Sequence, residues 1–245
     1  MLTDKIIFFT IISDDFYEGC RTDDFIKSFK KFHPDIELKV FRQKEIEEVF
    51  ATDSRLNFYN CKAYFMLKLI DKYDLVVNID ADHLIFERLT DILEGDYDLA
   101  CPSNYNLYQN ASIGCVDEKM YLQAGIVACT SKLFLRFWND YSLYKAMKYP
   151  HKENDTLNLV LDYSEARPWS IKHLDGELST SNAYYGCASL GQEHLIVVNK
   201  NRLELNGKPV KAYHFAKGDR NKPHPRTLFS EPVINWVNEN LNTNY

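Results

Sequence analysis

The sequence predicts a single α/β domain in which a mostly parallel sheet carries helices on both faces. Short apolar segments of strand length alternate with amphipathic helical segments in the N-terminal part, and this alternation favours parallel strands joined by crossover helices. The 245 residues are 45% apolar, enough for one large core. No internal repeat, linker or low-complexity run interrupts residues 1–245. We therefore expect one domain, and the sequence leaves open that it is part of a larger protein.

The N-terminal half supplies three predicted strands with helices between them. The first strand is too short and too rich in β-branched residues to be a helix, and it ends in a polar turn at 13–17. The first long helix has phenylalanines near helical spacing and ends before Pro34. The predicted elements are strand Lys5–Ile12, helix Thr22–Phe32, strand Ile36–Phe41, helices Glu45–Phe50 and Asn60–Tyr73, and strand Leu75–Ile79.

The C-terminal half predicts further strands and helices and a small antiparallel hairpin. The hairpin is indicated by the turn signal Asn206-Gly207 between two short apolar runs. The elements are strands Tyr97–Cys101 and Leu122–Cys129, helices Ser131–Met147 and Glu153–Tyr163, strands His194–Val198, Leu203–Leu205 and Val210–Ala216, and helix Pro232–Leu241. Large apolar residues at helical spacing predict the core face of the helix that begins at Ser131. They are Leu133, Phe134, Phe137, Trp138, Tyr141 and Tyr144.

Composition excludes several classes of protein. The net charge of -6 and the pI near 5.7 argue against a nucleic-acid partner, which normally needs a basic surface. The six cysteines are spread out with no Cys-x-x-Cys pair, so we expect no zinc site and a reducing compartment. No signal peptide and no apolar run of about 20 residues is present. We therefore expect a cytoplasmic protein without a membrane span in this chain.

Two carboxylates stand where the third core strand ends. Asp80 and Asp82 follow the apolar segment 75–79, and residues i and i+2 of an extended segment point to the same side. Two carboxylates about 4 Å apart repel by about 4 kcal/mol at an effective dielectric constant of 20. A hard divalent cation such as Mg²⁺ or Mn²⁺ offsets this repulsion. The alternative is a solvated acidic turn, because so short a motif also recurs by chance.

A histidine and a basic loop near the C-terminus complete the pattern. His214 ends a predicted strand and can add a neutral imidazole to a metal site, although a single strand histidine is more often a core residue. The following loop offers Lys217, Gly218 and Lys222 to a diphosphate. Charge builds up on a diphosphate leaving group as its bond to a sugar breaks, and a cation with lysines stabilises that charge. These residues together predict a metal-assisted diphosphate site.

The motifs and their order resemble glycosyltransferase family 8, which has the GT-A fold. Asp80-Ala81-Asp82 is similar to the family's Asp-x-Asp motif, and Lys62 stands where a basic residue precedes that motif. The segment from His214 to His224 resembles the tail His-Phe-x-Gly-x-x-Lys-Pro-Trp, with one extra residue on each side of Gly218 and histidine for tryptophan. Two further motifs match less completely: Gln123-Ala124-Gly125 resembles Asn-Ser/Ala-Gly, with glutamine for asparagine, and Glu153–Asn158 resembles Asp-Gln-Asp-x-Leu-Asn, with Glu153 for aspartate and Asn154 for glutamine.

The resemblance implies a metal-dependent glycosyltransferase that moves a hexose from a UDP-sugar to a glycan or other hydroxyl acceptor, with retention of configuration. It assigns Mn²⁺ or Mg²⁺ to Asp80, Asp82 and His214. It assigns the diphosphate to Lys62, Lys217, Gly218 and Lys222, and the sugar or acceptor hydroxyls to Gln123, Glu153 and Asp155; of these, Lys62, Gln123, Glu153 and Asp155 are its catalytic candidates. It places the rest of the nucleotide against Thr10, Ile11, Ser13, Tyr17, Ala81 and Gly125, with Tyr17 stacking on uracil.

Two other functions compete with this interpretation. A nucleotidyltransferase on a similar fold would need a glycine-rich loop after the first strand, and residues 10–14 contain no glycine. A non-catalytic module that binds sugar nucleotides remains the other alternative. The presence of Asp80, Asp82 and His214 argues against it, because a protein that had lost its catalytic activity would not need to keep these residues. Acceptor choice is expected to lie in the long loop 103–120 and in the segment 164–192.

Overall fold

The computed structural model describes residues 5–94, 96–103, 113, 121–162, 169–174, 184–188, 191–216 and 223–245. Eleven strands within these ranges form two sheets. They are β1 (Ile6–Ile11), β2 (Glu37–Phe41), β3 (Leu75–Ile79), β4 (His83–Ile85), β5 (Leu99–Pro102), β6 (Ile126–Cys129), β7 (Ile171–Leu174), β8 (Tyr184–Cys187), β9 (Val197–Asn199), β10 (Arg202–Leu205) and β11 (Lys208–His214).

The central sheet has the strand order β2-β1-β3-β6-β5-β7. The pairs β1–β2, β1–β3 and β5–β7 are parallel, whereas β6 runs antiparallel to both of its neighbours. The predicted mostly parallel sheet is thereby confirmed. The predicted strand at 122–129 is shorter than expected, because Leu122 makes only an isolated bridge with Ser103 before β6 begins at Ile126.

Helices cover both faces of the central sheet. They are α1 (Asp14–Tyr17), α2 (Thr22–Phe32), α3 (Gln43–Phe50), α4 (Cys61–Leu69), α5 (Thr90–Leu93), α6 (Lys132–Lys145), α7 (Glu153–Asp162), α8 (Pro225–Leu228) and α9 (Glu231–Leu241). The side chain of Val76 packs with α4 and α6 in one core cluster, and that of Val77 packs with α2 in a second cluster. This alternation follows from the two-residue period of a strand buried on both faces. No helix within the described ranges is long and apolar enough to cross a membrane.

The second sheet is larger than the predicted hairpin. Strands β10 and β11 form that hairpin, but β9 and β4 extend it and β8 pairs in parallel with β11. Strand β4 has only three residues and immediately follows Asp82, so the sequence pattern did not separate it from the turn. Its pairing with β11 places His83 directly opposite His214. The Asp-x-Asp turn, which β4 follows, and the strand that ends at His214 are therefore joined by backbone hydrogen bonds.

The aromatic face of α6 is only partly buried. Phe134 and Trp138 are fully buried, as expected, but the prediction was wrong for three other members of the stripe. Leu133, Phe137 and Tyr144 are between 43% and 64% exposed. Helix α6 packs on α4 and α7, and these two contacts cover a narrower strip than the sequence periodicity indicates.

A buried histidine makes the stability of this fold depend on pH. His33 accepts a hydrogen bond from the backbone N–H of Leu89 at 3.0 Å and stacks on Phe29. Burial, with a smaller contribution from the Arg88 guanidinium, lowers the pKa of His33 to about 4. Above pH 6.5 the ring is neutral in both states and the full stability is present. As the pH falls to about 4, only the unfolded chain takes up this proton, so the free energy of unfolding falls by up to about 3 kcal/mol.

Urea unfolding at about pH 7 and about pH 4.5 tests this prediction in the wild type and in His33→Gln. The glutamine carbonyl can still accept the Leu89 N–H, but it does not titrate. We expect a smaller loss of stability on acidification in the variant. Parallel losses in the two proteins would show that His33 is not the group responsible.

Candidate active site

Three chain segments meet at the carboxyl end of β3. The backbone N–H of Asp80 donates to the carbonyl of Gly125 at 2.9 Å, and the N–H of Phe215 donates to the carbonyl of Asp82 at 2.8 Å. These bonds tie the Asp-x-Asp turn to the segment before β6 and to the end of β11. Ala81 lies between the two carboxylates and is buried against Ile12. The turn is therefore fixed by its backbone while its acidic side chains face a common space.

The two aspartates and His214 form a compact group of metal-ligand atoms. Nε2 of His214 lies 3.1 Å from Oδ1 of Asp82 and 3.8 Å from Oδ2 of Asp80. Asp82 and His214 are almost fully buried, and they share a possible metal cluster with His83 in which all the ligand atoms lie within 4.8 Å of one another. Two carboxylates with an imidazole suit a divalent ion such as Mn²⁺. The residues present therefore fit the metal that the sequence predicts.

The electrostatics of the group also fit a cation. Burial disfavours the charged form of His214, but the Asp82 carboxylate outweighs burial and raises the pKa of His214 to about 10. The imidazolium then supplies the positive charge that the buried carboxylate requires. A metal ion that binds here displaces this proton, because His214 coordinates a metal only as a neutral imidazole. The positive charge of the metal then takes the place of the charge of the imidazolium.

His83 is a member of this group that the sequence reasoning missed. Its ring stacks on His214, with centroids 4.2 Å apart and planes 10° from parallel. Its Nδ1 donates to the Asp80 carbonyl at 2.8 Å. Burial, with His214 nearby, lowers the pKa of His83 well below its usual value, so the ring is neutral. The signal available in the sequence was a polar residue directly after Asp82 in an otherwise apolar strand.

Lys62 connects four oxygen atoms at the base of the site. Its Nζ lies 2.8 and 3.1 Å from the two carboxylate oxygens of Asp80, 2.8 Å from the carbonyl of Ala124 and 3.6 Å from Oε1 of Glu153. Burial alone would lower its pKa, but Asp80 and Glu153 raise it above the ordinary lysine value. Lys62 is therefore a permanent cation between two acidic groups.

Two asparagines of helix α7 form hydrogen bonds with the backbone of the segment that contains Gln123 and Gly125. The Asn158 amide accepts from the N–H of Leu122 at 2.7 Å and donates to its carbonyl at 2.8 Å. Oδ1 of Asn154 accepts from the N–H of Ala124 at 2.7 Å. Both asparagines belong to the Glu153–Asn158 motif, but the sequence reasoning gave them no role. The two asparagines of this motif thus hold the backbone on either side of Gln123 in place.

The two carboxylates of this motif have different surroundings. Asp155 is fully buried, where it accepts from the hydroxyl of Tyr121 at 2.8 Å and from the N–H of His151 at 2.9 Å. Glu153 lies beside Lys62, and burial raises its pKa although Lys62 opposes that shift. Glu153 thus lies at the site, and Asp155 lies behind it.

Gln123 reaches toward the second sheet. Its Nε2 donates to Sγ of Cys187 at 3.4 Å. Cys187 pairs with His214 in the register of β8 and β11. Gln123 is thereby in contact with the residue that pairs with His214.

An open cleft of about 440 Å³ lies at the carboxyl end of β1. Its walls are formed by Ile11, Ile12, Ser13, Asp15, Phe16, Gln43, Phe58 and Tyr59. Of the predicted nucleotide contacts, Ile11 and Ser13 line this cleft, whereas Thr10 is fully buried in β1. Tyr17 donates to Asp23, and the Arg42 guanidinium lies 3.9 Å from the centre of its ring. Phe16, Phe58 and Tyr59 are therefore the aromatic rings that line the cleft itself.

Gly125 leaves the space that the His214 ring fills. A Cβ atom at position 125 would lie 2.7 Å from Nδ1 and 2.8 Å from Cε1 of His214. Gly125→Ala must therefore displace the ring, and we expect it to weaken Mn²⁺ binding by about 10-fold and to destabilise the fold by about 1–3 kcal/mol. Mn²⁺ titration followed by electron paramagnetic resonance measures the affinity. An unchanged affinity would show that the position of the ring does not matter for the metal.

Some predicted residues lie outside the described ranges. Lys217, Gly218 and Lys222 are among them, as are most of the 103–120 loop and most of the 164–192 segment. Their assignments stay predictions.

No protein-family profile and no curated protein sequence matches this chain. Solved glycosyltransferase structures do match its fold. Galactosyltransferase LgtC, in complex with donor and acceptor sugar analogues, is 15% identical with a TM-score of 0.55, over 96% of this chain and 95% of LgtC. A glycosyltransferase involved in glycosylation of the major capsid of PBCV-1 is 9% identical with a TM-score of 0.57, over 89% of this chain and 95% of that one.

GlyE of Streptococcus pneumoniae TIGR4 is also similar, at 13% identity and a TM-score of 0.56. The match covers 99% of this chain but only 61% of GlyE. These likenesses confirm the predicted fold, since the shared architecture extends over nearly the whole chain. The chain therefore has the GT-A fold of glycosyltransferases.

Proposed function

We propose that this chain is a metal-dependent glycosyltransferase that moves a hexose from a UDP-sugar to a hydroxyl of a glycan or other acceptor. The observation that carries the proposal is the group formed by the buried Asp82 and His214 with the partly exposed Asp80 at the carboxyl edge of the central sheet. Ligands of open α/β sheets bind at this edge. The fold shared with solved glycosyltransferases and the open cleft beside β1 support the same conclusion.

Each group then has a defined task. Asp80, Asp82 and His214 would hold Mn²⁺ or Mg²⁺, which stabilises negative charge on the diphosphate leaving group. Lys62 holds Asp80 in place and adds positive charge beneath the site. The cleft lined by Ile11, Ser13 and Phe16 accepts the nucleoside. Gln123 and Glu153 bind hydroxyls of the sugar or the acceptor, and the buried Asp155 supports the helix turn that carries Glu153.

We propose that the transfer retains the anomeric configuration. Gln123 is the side chain offered to the sugar from the segment before β6, and a neutral amide is a weak nucleophile. A double displacement through Gln123 is therefore disfavoured. Attack on the same face as the leaving group, with a phosphate oxygen taking the proton of the acceptor, needs no nucleophile from the protein. Proton NMR of the first product formed identifies its anomer.

Incubation of the protein with a set of UDP-sugars and Mn²⁺ tests the proposed reaction. A glycosyltransferase releases UDP, slowly to water and faster when a sugar acceptor is added. A nucleotidyltransferase would instead form or consume a pyrophosphate bond with a sugar phosphate. Binding of UDP-sugars without any release of UDP would support the non-catalytic module.

A further inference from the structure

We propose that His83 is a positioning residue that holds both the Asp-x-Asp turn and the His214 ring in the geometry that binds the metal. This inference rests on the proposed metal site and adds a residue that the sequence motifs do not contain. His83 is 3% exposed and follows Asp82 directly. It contacts both halves of the site, which come from segments far apart in the chain.

The first contact fixes the turn. A backbone carbonyl can only accept, so Nδ1 of His83 carries the hydrogen that it shares with the Asp80 carbonyl at 2.8 Å. This bond spans three residues and closes the turn that carries Asp80 and Asp82. Hydrogen bonds of this kind outside the ligand set usually change metal affinity by 10- to 100-fold when they are removed.

The second contact fixes the ring of His214. His83 and His214 are opposite each other on β4 and β11, and their rings are nearly parallel at 4.2 Å. The Gly125 backbone lies close to Nδ1 and Cε1 of the His214 ring, where a Cβ atom would not fit. The His214 ring thus contacts both the His83 ring and the Gly125 backbone, and its Nε2 is directed at Asp82.

The same stacking argues that His83 is not itself a metal ligand. The lone pair of an imidazole nitrogen lies in the plane of its ring. Van der Waals contact keeps stacked rings about 3.5 Å apart, which exceeds a metal–nitrogen bond of about 2.1 Å. An ion in the plane of the His214 ring therefore lies too far from the plane of the His83 ring. In this arrangement His214 binds the metal, and His83 supports it.

Three substitutions separate the two contacts. His83→Phe keeps a stacking ring but removes the hydrogen bond to Asp80, and His83→Asn keeps an N–H donor but removes most of the stack. His83→Ala removes both. We expect His83→Ala to weaken Mn²⁺ binding by about 10- to 100-fold, and the other two variants to weaken it less. His194→Ala, at an exposed histidine, is the matched control and should bind Mn²⁺ like the wild type.

Mn²⁺ titration and pulsed electron paramagnetic resonance of the bound ion decide between the roles. We expect one imidazole nitrogen on Mn²⁺ in the wild type and in His83→Phe, together with the graded loss of affinity. Two nitrogens in the wild type would overturn the proposal by making His83 a ligand. An unchanged Mn²⁺ affinity in His83→Ala, with only a lower melting temperature, would overturn it as well. A wild type that binds no Mn²⁺ would instead refute the metal site itself.

Discussion

Asp82→Asn lowers the affinity for Mn²⁺ by about 100-fold or more in our account, and it abolishes turnover of the UDP-sugar. The loss of affinity should be larger here than the 10- to 100-fold loss that follows when a group that only supports a ligand is removed, because Asp82 coordinates the metal itself. The amide has the same shape as the carboxylate but a neutral, poorer oxygen donor. The fold should survive, because the Asp82 carbonyl that accepts from Phe215 is unchanged. Mn²⁺ titration followed by electron paramagnetic resonance gives the affinity directly.

Asp71→Asn is the matched control for this prediction. Asp71 pairs with Lys132 on the surface, so the variant removes one carboxylate without touching the site. We expect wild-type Mn²⁺ affinity from this control. Equal affinities of Asp82→Asn and the wild type would exclude Asp82 as a ligand.

Lys62→Met has the second large effect, and it acts on stability as well as on turnover. The methionine leaves Asp80 and Glu153 close together without their shared cation, and the Ala124 carbonyl loses its partner. Breaking a buried pair usually costs about 3–5 kcal/mol, and the partial exposure of the two carboxylates reduces this to about 2–4 kcal/mol. We expect the free energy of unfolding to fall by that amount. Urea unfolding measures it.

The same variant should respond more strongly to metal than the wild type does. A divalent ion restores positive charge next to Asp80, so saturating Mn²⁺ should raise the melting temperature of Lys62→Met more than that of the wild type. Lys68→Met, on the exposed side of the same helix α4, controls for the substitution itself. A stability loss as small as that of Lys68→Met would show that Lys62 does not balance the two carboxylates.

The parts of the site that the sequence predicted are those encoded by local pattern. Asp80 and Asp82 follow a strand whose five residues are all buried, and such a strand is visible as an apolar run. His214 ends β11, which the hairpin signal at Asn206 and Gly207 indicates. The fold class follows from the same alternation of strands and helices, which is a property of neighbouring residues.

The parts that the sequence did not predict depend on contacts between distant residues. Strand β4 exists because β11 pairs with it across more than a hundred residues, and three residues carry too little periodicity to predict a strand. The roles of Asn154 and Asn158 likewise depend on backbone atoms near Leu122 and Ala124. The width of the buried face of α6 is set by its neighbours, not by its own spacing.

A calorimetric titration of UDP into the wild-type protein, with Mn²⁺ and with EDTA, tests the central claim most directly. The claim is that Asp80, Asp82 and His214 bind a divalent cation that in turn binds a diphosphate. We predict saturable binding of UDP with Mn²⁺, loss of that binding in EDTA, and recovery when Mn²⁺ is restored. Equal affinity with and without the metal, or no binding in either condition, would contradict the claim.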